Sequence, residues 1–103
     1  MIARQWIGET LESDGATYFK YLEETGGREC KAMKGNRGVW IMRRVHDAKA
    51  EFVFISLWDS FESIKAFAGP EYEKAVYYPE DKKFLLKLDP NVTHYEVLVG
   101  PEH

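Results

Sequence analysis

One cysteine in 103 residues, Cys30, leaves no partner for an intramolecular disulfide and excludes a multi-cysteine metal site. A lone thiol suits a reducing cytosol. No segment approaches the roughly 20 apolar residues that a membrane-spanning helix requires. Met1 to Glu9 alternates instead of forming the apolar core of a signal peptide, so the expectation is a soluble, unprocessed, cytoplasmic protein with no membrane partner. Long runs of like charge are also missing. The 17 acidic and 14 basic residues are scattered, giving a formal charge of −3, and nucleic acid is not an expected partner. No glycine-rich dinucleotide fingerprint, P-loop or metal-ligand spacing occurs, and the expected cofactor and metal content is none.

What is present begins with Glu51 to Gly69. Phe52 to Trp58 is apolar at six of seven positions, and its β-branched and aromatic content favours a strand covered on both faces. Asp59 or Ser60 then caps a helix that Gly69-Pro70 stops. Upstream, Ile2, Arg4, Trp6 and Gly8 share one face of a first strand, opposite Ala3, Gln5, Ile7 and Glu9. Ser13 or Asp14 opens a helix whose stripe is Ala16, Phe19, Leu22 and Glu23, with Tyr18 and Tyr21 at its flanks and Gly26-Gly27 at its end. Val39 to His46 alternates as a second strand, and a short polar connection makes it a hairpin with the strand ending at Trp58. Short helices are expected over 71–77 and 80–86, and Val92 to Val99 closes the chain as a strand.

The order β-α-β-β-α-β in one domain, 1–103, is a split β-α-β arrangement: α+β, ferredoxin-like, with an antiparallel sheet and helices on one of its faces. A domain this small buries only about 60–65% of its unfolded surface, whereas 15% of its residues are aromatic. A homodimer packed through the open sheet face would supply the missing cover.

Asn36 to Val39, Ser56 to Ser60, Ala66 to Gly69, Ala75 to Asp81 and His94 to Val97 resemble the antibiotic biosynthesis monooxygenase (ABM) family. The resemblance spans nearly the whole chain and implies a ferredoxin-like domain that forms a dimeric α+β barrel. It also implies one of several chemistries, among them cofactor-independent oxygenation of phenols or quinols and haem cleavage. The Trp and His that line the haem site in bacterial haem-degrading members correspond here to Phe67 and Tyr77, and no Asn precedes Asn36. Tyr can ligate haem iron, but three departures point away from haem.

A cofactor-free oxygenase needs an aromatic pocket, a base and shelter from water. The substrate-binding candidates are Trp6, Trp58, Phe67 and Tyr78, although a hydrophobic core would also claim Trp58 and Phe67. The catalytic candidates are Tyr77, a phenol just before Pro79; His94, the best-placed base; and Arg43, which shares a strand face with Ile41 and is preferred to Arg4 and Arg44 as an anion stabiliser. Structural roles compete for each: packing, a dimer contact or a surface ion pair. Glu80-Asp81 reads as a helix N-terminus, and neither His46 nor the terminal His103 is a candidate. The expected function is oxidation of an aromatic phenol or quinol without a prosthetic group. The alternative is a non-catalytic dimer that binds a small hydrophobic metabolite.

Overall fold

The computed structural model describes residues 1–101; His103 lies outside them. Strand β1 (Ile2–Leu11) leads through a 3₁₀ turn into α1 (Gly15–Leu22), which continues through a π-helical turn into α2 (Arg28–Ala32). Strands β2 (Asn36–His46) and β3 (Lys49–Trp58) form a hairpin; α3 (Phe61–Ala68), the single turn α4 (Asp81–Phe84) and β4 (Thr93–Glu96) follow. The strands assemble in the order β2-β3-β1-β4, all neighbours antiparallel. This is the expected ferredoxin-like α+β arrangement.

The helices cover one face only. Ala50, Phe52, Phe54 and Trp58 point into a core with Tyr18, Leu22, Cys30, Ile64 and Leu85. Val53, Ile55 and Leu57, one residue out of phase, are only partly covered, so the two-sided burial expected for Phe52 to Trp58 is not met within one chain. Trp40, Met42, Ile7 and Tyr95 lie exposed on that same open face, as their pairing with Ile55, Val53 and Ala3 requires.

Several boundaries depart from the sequence reading. Gly26 and Gly27 do not end the first helix. Both are buried, Gly26 near Phe54 and Tyr78 and Gly27 near Ile41, and the chain passes them in a π turn. The stripe that α1 buries is Gly15, Tyr18 and Leu22, while Ala16 and Phe19 face outward. The hydroxyl of Tyr18 explains the rotation, since it finds a buried acceptor, Asp81. The hairpin turns on Asp47 and Ala48, both with positive φ (51° and 59°), a geometry usually given to Asn-Gly. Ser60 caps α3 by accepting from the Ser63 N–H, and Gly69 at φ 88° stops it, both as expected.

No helix forms over 71–77. The segment opens with a turn at Tyr72–Glu73, closed by the Lys74 N–H on the Glu71 carbonyl at 3.0 Å, and is then bridged to Asn91 at Lys74 and bonded from the Ala75 N–H to the Pro90 carbonyl at 2.8 Å. A helix would need the Tyr72 and Lys74 carbonyls for itself, and the Arg4 guanidinium takes both. The last strand is shorter than Val92 to Val99. Glu96 already pairs with Ile2 at the start of β1, which leaves Leu98 and Val99 no strand to join.

Candidate functional site

Alternation along β1 directs Arg4 and Trp6 under the helices, where they line a cavity of about 50 Å³ with Phe67, Tyr77, Tyr78 and Cys30. Phe54 and Ser56 of β3 and Tyr18 and Asp81 of the helices also line it. The volume has room for a few waters and is far below the roughly 300–1,000 Å³ of a drug-sized ligand site.

Arg4 is the unusual member. It is 5% exposed, and no carboxylate among the described residues pairs with it. Its guanidinium donates from Nη1 to the Tyr72 carbonyl and to His94 Nε2 (3.2 Å), and from Nη2 to the Lys74 carbonyl (3.0 Å). Three of its five N–H donors are thereby used. Burial lowers the pKa of this group, because desolvation disfavours the charged form.

His94 stands behind Arg4, outside the cavity. Arginine can only donate, so Nε2 accepts and the imidazole is neutral with its proton on Nδ1. Burial first, then the Arg4 charge, lowers its pKa. The rings of Phe61 and Tyr72 meet it edge-on, with centroids 5.6 and 5.4 Å away. Its lone pair is committed to Arg4, and it orients the cation instead of facing a substrate.

Tyr77 lines the cavity beside Trp6. Its hydroxyl accepts from Trp6 Nε1 at 3.2 Å and donates to the Asp89 carbonyl at 2.5 Å, and the two rings meet edge-on. Gly8 makes room for this, because a Cβ there would stand 2.3 Å from the Trp6 indole. The neighbouring Tyr78 hydroxyl is buried with no well-formed hydrogen bond. Burial, then the nearby Glu29 carboxylate, raises its pKa strongly. Asp81, the first residue of α4, accepts from the Tyr18 hydroxyl at 2.9 Å and the Tyr78 N–H at 2.6 Å, yet burial still raises its pKa. Burial also pushes the Cys30 thiol up to about 12 against the pull of Arg4, so it is no thiolate near neutrality.

The structure thus brings together Trp6, Phe67, Tyr77 and Tyr78 and sets three other candidates apart. Trp58 is fully buried behind Phe67, its ring stacked at 5.7 Å and its indole N–H donating to Ser56. Arg43 projects exposed from the edge strand β2, opposite Phe52, and reaches no cavity residue. His94 acts only through Arg4. The cation at the site is therefore Arg4 and not Arg43. Its signal was in the sequence, since Arg4 shares a strand face with Trp6 and Gly8. Tyr18, Cys30 and Asp81 carried no such signal, because they converge from separate elements.

No protein-family model matches this chain, and neither does any curated protein. Among solved structures, a mutant of MhuD with two manganese protoporphyrin IX molecules bound per active site is similar over 100% of both chains, with a TM-score of 0.62 and 13% identity. At that identity the likeness concerns the backbone, and it matches four antiparallel strands with helices on one face. The chain has the ferredoxin-like α+β fold of MhuD, an ABM-like fold.

Proposed function

We propose that this protein is a homodimeric, cofactor-independent monooxygenase that binds an aromatic phenol or quinol as its anion against Arg4. The observation that carries the reading is a buried guanidinium without a carboxylate partner among the described residues, lining an aromatic-walled cavity. A cation held there stabilises a phenolate oxygen, and the phenolate is the electron-rich form that reacts with dioxygen. One O₂ oxidises a phenol to a quinone: one oxygen atom enters the ring and the other leaves as water with the two hydrogens removed. Trp6, Phe67 and Tyr78 pack the ring, and Tyr77 must release Trp6 to admit it. The apolar open face of the sheet supports pairing with a second copy, and the lone buried Cys30 supports a cytoplasmic setting.

A porphyrin, as bound by MhuD, does not fit these residues. The cavity is lined by no histidine, the Tyr77 and Tyr18 hydroxyls are engaged, and burial, which raises the pKa of the unpartnered Tyr78 phenol, works against the phenolate that would ligate iron. A second reading, ligand binding without turnover, is favoured by one fact: no lining group is a free base, His94 being committed to Arg4.

Oxygen uptake by the metal-stripped protein over a panel of phenols and quinols, against a buffer control, separates these readings. Protein-dependent uptake that falls roughly 100-fold in Arg4→Gln, and by smaller factors in His94→Ala and Tyr77→Phe, is the expected result. Saturable quenching of tryptophan fluorescence by the same phenols without uptake selects the binding module. Uptake unchanged in all three variants would sink the role given to Arg4.

A further inference from the structure

On the face of the sheet away from the cavity, Glu9 of β1 and Glu51 of β3 stand directly opposite each other. Like charges in that position cost stability unless something lies between them. His46, the last residue of β2, brings its Nε2 to 3.8 Å from Glu9 Oε2, and one donor atom from each of the three side chains lies within 4.8 Å of the others. That Nε2 is shielded from solvent and has no hydrogen-bond partner. The other ring nitrogen, Nδ1, is 3.3 Å from the Asp47 carboxylate. A carboxylate holding the Nδ1 proton leaves the Nε2 lone pair free and aimed, which is how metal-ligating histidines are commonly oriented.

We propose that Glu9, His46 and Glu51 form a binding site for a divalent first-row transition cation, with Zn²⁺ as the type ligand. One imidazole and two carboxylates are borderline and hard donors that suit this class, and they leave a position for water. Bonds of about 2.1 Å at tetrahedral angles put ligand atoms about 3.4 Å apart. The side chains therefore close slightly on the ion, which rotation of two partly exposed carboxylates allows. Arg44 is the resident competitor: its Nε donates to Glu51 Oε1 at 2.8 Å and leaves the second carboxylate oxygen available. The ion ties β1, β3 and the end of the β2–β3 hairpin together.

The test is calorimetric titration of the tag-free protein with ZnCl₂ in a His103→Gln background, which removes the terminal imidazole. One saturable equivalent per chain is expected, weakened at least tenfold by Glu9→Gln or His46→Gln and tightened by Arg44→Gln. Long-range ¹H–¹⁵N spectra should show Zn²⁺ moving His46 Nε2 while the His94 ring signals stay in place. No saturable heat, or binding that survives His46→Gln undiminished, overturns the site and leaves the cluster as an ion pair between a protonated imidazole and its carboxylates.

Discussion

The two faces of the sheet are built from alternate residues of the same strands, and they are finished in different ways. On the helix side, Phe52, Phe54 and Trp58 are sealed by α1, α2 and α3. Polar groups on that side, Arg4, Ser56 and Asp81, sit in a dry environment that shifts their pKa values or claims their hydrogen bonds. On the open side, Val53, Ile55 and Leu57 are only half covered, and Trp40 and Met42 are about half exposed. The comparison teaches that apolar content alone does not say where a strand's cover comes from. A run apolar at six of seven positions obtains one cover from its own helices, while its other face stays partly open within the chain.

The largest effect that sharpens this contrast is expected at Trp58. Removing a fully buried indole that stacks on Phe67, by Trp58→Ala, should cost about 3–5 kcal/mol in urea unfolding. A loss under 1 kcal/mol would mean that the helix face is not the principal core. Next comes the centre of the open face. Ile55→Lys should leave the fold intact but weaken self-association by about 2 kcal/mol or more, roughly 30-fold, as seen by sedimentation. If the mass in solution does not respond, the open face is not covered by a second copy.

The smallest effect lies in pH. The folded-state pKa of His94 is depressed, so the folded chain holds fewer protons there than the unfolded chain. Its contribution is present above the ordinary value near 6.5 and is lost as pH falls below it. Urea midpoints measured from pH 7.5 down to 5 should therefore fall less steeply in His94→Gln, where the amide oxygen can still accept from Arg4. Equal slopes in the two proteins would show that the imidazole is not desolvated behind Arg4.

Much of the fold was legible in the sequence because local signals agreed with one another. Ser60 and Gly69 bracket α3 as cap and stop, and alternation placed Ile2, Arg4, Trp6 and Gly8 on one face. Where they failed, a tertiary contact outweighed a local preference. Two glycines that read as a helix stop are carried through a buried π turn, and a segment expected to be helical yields its carbonyls to Arg4. The candidate site was half legible. Trp6, Phe67, Tyr77 and Tyr78 do converge, whereas Arg43 was preferred over Arg4 because both alternate with apolar neighbours and only the sheet order shows which strand is central.

By itself, then, the sequence determined the element order, the amphipathic faces of the strands and the helix caps, since these depend on residues within a few positions of each other. Only the tertiary structure decided that Arg4 would be buried without a carboxylate, that His94 would hold it and not a substrate, and that Glu9, His46 and Glu51 would meet. These depend on strand order and register, which join Arg4 to His94 across 90 positions and Glu9 to His46 across 37, distances over which no local spacing carries information.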